Sequence, residues 1–333
     1  MKAAVLGAGS WGTTLALHMT RLGHPVKLWE FRSDAVRRMR MDGENKEFLP
    51  GHLFPEILIP TDDIQEAVKD ADICLLVVPS HAVRETVKRI PDGLPSGCVM
   101  VSATKGIEQN SLMRMSEVVA DVWKGKFDWN KFVALTGPSH AEEVSIGLPT
   151  TVVAASMDIK AAKFIQELIS SKRFRIYAIN DLVGAELGGS LKNVIAIAAG
   201  IADGVGFGDN VKGALMTRGV KEMSRLGLKL GGKQETFTGL SGVGDLITTC
   251  ISRHSRNRNL GEAIGKGRKL KDVFSEMQQV AEGVRTTQSA WALAQREQVE
   301  MPITEQVYRI LFEDADPLEA TVGLMTRRLK VED

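Results

Sequence analysis

The chain reads as an α/β protein: an N-terminal half built on a mainly parallel sheet, followed by an all-helical C-terminal half. Three observations predict this. Short apolar runs alternate with helically spaced stretches up to about residue 178. A glycine-rich turn joins the first run to the first helical stretch. After Asn180-Asp181, a pair suited to capping a helix, strand-like runs vanish and helical patterns dominate to the end. At 333 residues the chain exceeds the usual size of one core, so two domains are expected, 1–180 and 181–333.

In order, Lys2-Ala3-Ala4-Val5-Leu6 is an apolar run that stops at Gly7, as a buried parallel strand should. Residues 10–22 carry helical spacing through Leu15, Met19 and Leu22, and Gly23 ends the helix. Val26-Lys27-Leu28-Trp29 gives a second strand, and a charged helix follows from about Ser33 to Met41. The Pro-rich crossing from Phe48 to Pro60 reads as a loop. Later strands are 73–78, 99–102, 132–135, 151–154 and a last candidate at 174–178. Residues 183–206 are rich in Gly and Ala, which lets helices approach closely.

Composition excludes several classes. With 42 basic and 41 acidic side chains the net charge is +1, and no long single-sign run offers nucleic acid a phosphate-binding stripe. Cys74, Cys98 and Cys250 are too dispersed for a metal knuckle and read as reduced thiols. No HExxH or GxSxG pattern occurs, and the six histidines are scattered. Residues 3–20 lack charge, yet Gly7, Gly9, Ser10, Gly12, Thr13, Thr14 and His18 interrupt the apolar residues. A strand, turn and helix explains them better than a signal peptide or membrane span, so a cytoplasmic protein is expected.

Gly7-Ala8-Gly9-Ser10-Trp11-Gly12 is a GxGxxG sequence between a strand and a helix, the context of a Rossmann dinucleotide fingerprint. Gly7 permits the tight turn, Gly9 lets a pyrophosphate approach the backbone, and Gly12 lets helix pack on strand. Amides at the helix start, with Ser10 and Trp11, then face the anion, favoured by the helix dipole. The alternative is a glycine-rich turn without a ligand. About twenty residues on, Glu30 can accept from a ribose hydroxyl, favouring NAD. Phe31 follows, and Arg32 can instead hold the extra phosphate of NADP. NAD and NADP both stay open.

Reducing a ketone needs an acid that protonates the developing alkoxide, and the reverse reaction needs the same group as a base. Among residues 183–206 only Glu186, Lys192 and Asp203 are charged. Lys192 therefore sits in an apolar, small-residue helix whose burial would lower its pKa toward neutrality. The alternative is a lysine snorkelling to water at the edge of that face. Lys105 follows a buried strand at its carboxyl end, where open α/β sheets bind ligands, and can polarise a carbonyl or neutralise a phosphate. Ser255-Arg256-Asn257-Arg258-Asn259 combines hydroxyl, guanidinium and amide donors suited to a phosphate dianion, or forms a solvated polar loop.

Across nearly its full length the chain resembles the bacterial NAD(P)-dependent glycerol-3-phosphate dehydrogenases. The resemblance rests on the glycine loop, Phe48-Leu49-Pro50-Gly51, Val77-Val78-Pro79-Ser80, Thr104-Lys105-Gly106-Ile107-Glu108 and Leu135-Thr136-Gly137-Pro138-Ser139. In the second half it rests on Glu186-Leu187-Gly188-Gly189-Ser190-Leu191-Lys192-Asn193, Gly239-Leu240-Ser241-Gly242-Val243-Gly244-Asp245-Leu246, Ser255-Arg256-Asn257-Arg258 and Ala281-Glu282-Gly283. Phe48 and His140 stand where such proteins usually carry Tyr and Phe, and neither is expected to touch the reaction. Glu30-Phe31-Arg32 also departs from the commoner pattern.

The resemblance implies interconversion of dihydroxyacetone phosphate and sn-glycerol 3-phosphate, serving phospholipid synthesis. It implies Lys192 as proton acceptor, with Asp245 at the substrate hydroxyls orienting it. Gly137, Ser139, Lys105, Asn193, Ser255, Arg256 and Asn257 would line the substrate. Ala141, Val280, Glu282 and Arg256 would lie near the cofactor. A homodimer is also implied, although the residues carry no interface signal of their own. Other readings are a β-hydroxyacid or ketopantoate dehydrogenase, or a non-catalytic nucleotide sensor. The Ser255–Asn259 cluster argues against the first pair, and the presence of Lys105, Lys192, Asp245 and Arg256 against the sensor.

Overall fold

A computed structural model describes residues 1–276, 281–329 and 331–332. Its first half is an eight-stranded sheet. The strands are β1 (Ala3–Leu6), β2 (Val26–Trp29), β5 (Leu58–Thr61), β6 (Ile73–Leu76), β7 (Val99–Ser102), β8 (Phe132–Thr136), β9 (Thr150–Ala155) and β10 (Phe174–Ile179). A separate hairpin pairs β3 (Glu44–Asn45) with β4 (Leu49–Leu53). The sheet order is β10-β9-β8-β7-β6-β1-β2-β5, parallel except where β9 runs antiparallel to β8. Successive residues of a strand point to opposite faces. Ala3 and Val5 join one buried apolar layer, and Ala4 and Leu6 join the other. Burial on both faces explains why these strands read as unbroken apolar runs.

The Pro-rich crossing departs from expectation, because it contains β4 and β5 rather than only loop. Strand β5 lies at the sheet edge, pairing with β2 alone. There Pro60 can sit opposite Leu28 without a neighbouring strand needing its missing N–H.

The second half is helical. Asp181 caps its first helix, Leu182–Val205, accepting from the Gly184 amide at 2.9 Å. The same carboxylate accepts from Lys233 N and Thr236 Oγ1, which ties the helix start to a neighbouring turn. Among the described residues this is the one helix long and apolar enough to cross a membrane, yet 89% of its apolar window is buried inside the protein. It is the central post around which the other helices pack. The helix Arg256–Gly265 lies against it backbone to backbone. A Cβ on Gly200 would stand 2.0 Å from Arg258 O, and one on Gly261 would stand 2.1 Å from Ile197 O. That close approach brings Ser255 and Asn257 beside Asn193 and Lys192.

Candidate active site

The carboxyl ends of β1, β6 and β7 open into a cleft of about 630 Å³, closed on its far side by the helical half. One wall is the glycine loop. Gly7 adopts φ +113°, and a Cβ on Gly12 would meet Gly7 O at 1.8 Å, so both positions exclude larger residues. A Cβ on Gly9 would meet nothing within 4 Å. The loop is therefore tight where helix meets strand and open where a ligand would approach. Gly9 is the N-cap of the helix Ser10–Arg21 and offers no side chain to its first amides. An anion in the cleft would supply that cap, so the cradle fits a dinucleotide pyrophosphate.

Glu30, Phe31 and Arg32 line the outer end of the same wall with Trp11. Arg32 Nε donates to Glu30 Oε1 at 2.9 Å, and its Nη1 donates to Glu47 Oε1 at 2.9 Å. The guanidinium stands 5.6 Å from the centre of the Phe48 ring.

At the inner end two lysines share one carboxylate. Lys192 Nζ donates to Asp245 Oδ1 and, at 2.7 Å, to Thr249 Oγ1. Lys105 Nζ donates to Asp245 Oδ2 at 2.7 Å and to Gly137 O at 3.3 Å. Lys192 and Asp245 are buried, while Lys105 is partly open to the cleft. Burial pushes the Lys192 ammonium down to about 7, with Lys105 adding repulsion and Asp245 opposing both. Burial works against the Asp245 carboxylate too, but the two ammonium groups outweigh it and hold its pKa below the ordinary value.

The remaining substrate-side positions divide. Ser139, Asn193, Ser255, Arg256 and Asn257 all line the cleft. Ser255 Oγ caps the helix Arg256–Gly265 by accepting from Arg258 N at 3.2 Å, and its own proton remains available to a ligand. Asn257 is turned inward: its Nδ2 donates to Asn193 Oδ1 at 3.0 Å, and its Oδ1 accepts from Gly283 N at 2.9 Å. Arg258 belongs to a structural network, paired with Asp203 at 2.7 Å and Glu262 at 3.0 Å. Gly137 meets the site through its carbonyl, and Ala141 lines the cleft. Glu282 accepts from Ser80 N at 3.0 Å and Ser80 Oγ at 2.6 Å across the seam between the halves. Val280 lies outside the described residues.

The family described as NAD-dependent glycerol-3-phosphate dehydrogenase matches through its N-terminal part over residues 2–162 and its C-terminal part over 181–322. A glycerol-3-phosphate dehydrogenase (NAD(P)+) from Chlorobium luteolum is 49% identical over 332 residues, covering 100% of this chain and 99% of its own. One from Prosthecochloris aestuarii is 51% identical, covering 98% of each. This chain belongs to the NAD-dependent glycerol-3-phosphate dehydrogenase family. A solved glycerol-3-phosphate dehydrogenase from Coxiella burnetii superposes with a TM-score of 0.93 at 42% identity, covering 98% of this chain and 99% of that one. Members are oxidoreductases acting on a CH–OH group with NAD(P), and the Rossmann-type sheet with its helical partner is the family's architecture.

Several residues in or behind the cleft were given no part in the chemistry by the sequence. Thr249 completes the Lys192 environment and donates to Asp245 O one helical turn back, so its i+4 spacing from Asp245 was a usable signal. Ser190 Oγ accepts from Gly106 N at 2.9 Å and so fixes the loop bearing Lys105. Phe48 and His140, expected to stand clear of the reaction, both line the cleft. The His140 ring lies 5.8 Å from that of His254, and burial followed by the Lys192 charge lowers its pKa.

Proposed function

We propose that Lys192 is the acid/base in hydride transfer between NAD(P)H and dihydroxyacetone phosphate, giving sn-glycerol 3-phosphate. The observation that carries this reading is the buried Lys192–Asp245–Lys105 array at the inner end of a cleft whose outer wall is the glycine loop. Residues 1–180 would hold the cofactor, and 181–333 would supply Lys192 and the phosphate contacts. The nicotinamide supplies or accepts the hydride at C2. Lys192 gives its proton to the developing alkoxide oxygen in reduction and removes the hydroxyl proton in oxidation. Asp245 fixes the ammonium in place, and Lys105 polarises the carbonyl from the open side. Ser255, Arg256 and the first amides of the Arg256–Gly265 helix receive the phosphate, where the helix dipole and the guanidinium act together. Three buried free thiols are in keeping with a cytoplasmic setting, where the product would supply phospholipid synthesis.

The test is oxidation of NADH or NADPH by dihydroxyacetone phosphate, followed by loss of the reduced nicotinamide absorbance. Lys192→Ala should lower turnover about 10²–10⁴-fold while the cofactor still binds. Turnover near wild type would remove Lys192 from the proton transfer. Folded protein that binds cofactor yet oxidises neither form would redirect the substrate reading to 2-oxo acids such as ketopantoate.

A further inference from the structure

The hairpin β3–β4 is docked onto the glycine loop rather than free. Asn45 Nδ2 donates to Ala8 O at 2.7 Å and to Thr13 Oγ1 at 2.9 Å. Ser10 Oγ donates to Phe48 O at 2.8 Å, and Phe48 N donates to Asn45 Oδ1 at 3.3 Å. These bonds fix the backbone on both sides of Glu47, which lines a small pocket beside the cleft together with Glu30, Arg32 and Arg38. Its Oε1 takes Arg32 Nη1 at 2.9 Å, and its Oε2 takes Arg38 Nη2 at 3.2 Å. Glu30 takes Arg32 from the other side, through Nε at 2.9 Å and the backbone amide at 3.3 Å. Arg38 is itself shared with Asp34 at 2.5 Å. The charged groups at this corner are thus Glu30, Glu47, Asp34, Glu44 and Asp42 against Arg32, Arg38 and Lys46, an excess of negative charge.

We propose that Glu47, with Glu30, holds Arg32 as an internal ion pair and so denies it to a 2′-phosphate, making NAD the preferred cofactor. An arginine at the end of the second strand welcomes that phosphate only when its guanidinium faces the ligand. Here two carboxylates and the Phe48 ring occupy it. A phosphate dianion approaching the remaining Nη2 edge would sit beside both carboxylates, whose charges already compensate the guanidinium, and a fuller grip would have to displace one of them. Ribose hydroxyls carry no charge and can donate to Glu30 directly. Sequence alone leaves Glu30 and Arg32 in competition; the hairpin decides it, because it brings in a second acid fifteen residues from Arg32.

The inference rests on the cofactor reading of the cleft, and binding separates the two. Quenching of the cleft tryptophans Trp11 and Trp29 reports dissociation constants for NADH and NADPH without turnover. The wild-type chain should bind NADH at least about tenfold more tightly than NADPH. Glu47→Gln should tighten NADPH by about tenfold and change NADH by less than about threefold. Adding Arg32→Gln to that variant should abolish the gain, which shows that it runs through the released guanidinium. Equal wild-type affinities, tighter NADPH binding, or parallel changes for both cofactors in Glu47→Gln would overturn the proposal and leave the dehydrogenase reading intact. If neither nucleotide binds, both readings fall. Should Glu47→Gln not fold, Arg38→Gln, which frees Glu47 to grip Arg32 more tightly, should weaken NADPH binding alone; unchanged NADPH binding would also count against it.

Discussion

In the proposed reaction, Lys192 is placed by its surroundings to serve both directions. Burial depresses its pKa to about 7, so near neutrality the amine and the ammonium are both populated. Oxidation of the alcohol needs the neutral amine, whose fraction grows as pH rises through that value. Reduction of the ketone needs the ammonium, whose fraction falls over the same range. The two directions should therefore show opposite pH dependence with a common midpoint. In Asp245→Asn the carboxylate that favours the charged form is gone, and both limbs should move to lower pH. Profiles measured on the two variants check this, and an unmoved midpoint would mean that another group titrates. The few charges in residues 183–206 marked Lys192 as a candidate but left a snorkelling lysine equally open, and the family resemblance favoured the acid/base reading. Its arrangement was not legible there: Lys105 and Asp245 meet across 140 residues of chain, and no local pattern encodes such a contact. The partners of Asn257 were hidden for a related reason: Asn193 and Gly283, which it bridges at the cleft wall, lie 64 and 26 residues away.

Among the elements, those that bury both faces were the easiest to read. β1, β6, β7 and β8 are fully buried, so their sequences are plain apolar runs bounded by polar or glycine residues. The hairpin β3–β4 and edge strand β5 were hidden because Pro50 and Pro60 signal loop and because exposed edges need no apolar alternation. The helix Pro302–Phe312 shows another feature that local sequence conceals, a cap borrowed from a distant helix. Met301 provides no side-chain cap, and Glu222 accepts instead from Ile303 N at 2.6 Å, Thr304 N at 3.2 Å and Thr304 Oγ1 at 3.2 Å. Burial pushes the Glu222 carboxyl up from 4.5 to about 7, against those hydrogen bonds. Between those values the folded state holds a proton that the unfolded chain has released. The resulting stability is complete below the unfolded pKa and is lost as pH rises through the folded one. At about 1.4 kcal/mol per unit, the loss is on the order of 3 kcal/mol. Glu222→Gln, permanently neutral, should lack this loss. Urea unfolding at about pH 5 and about pH 8 compares the two; parallel declines would exclude Glu222 as the titrating group.

For the whole molecule, the seam between the halves joins buried apolar contacts, such as Ile107 and Leu182, to polar ones at the carboxyl ends of the strands, beside the cleft. Lys105 bonds to Asp245, Gly106 N to Ser190, Thr136 to Ser241, and Ser80 to Glu282. The same groups therefore hold the halves together and shape the cleft, so loosening the seam should be felt in binding as well as in stability. Glu282 reports on the effect, because it takes both the amide and the hydroxyl of Ser80, lines the cleft at the cofactor side and stands apart from the lysine array that would meet the triose phosphate. Glu282→Ala leaves those two donors without their acceptor, at a cost of about 1–3 kcal/mol in unfolding free energy. Since the contact closes one side of the cleft, KM should rise for the cofactor and the triose phosphate together. Saturating both ligands should restore part of the lost stability, because each binds the folded chain and not the unfolded one. Urea midpoints with and without ligands, measured beside the KM values, distinguish a latch from a mere brace. Lost stability with unchanged KM would make Glu282 a scaffold residue, whereas a coupled loss would show that closing the cleft and joining the halves are one event.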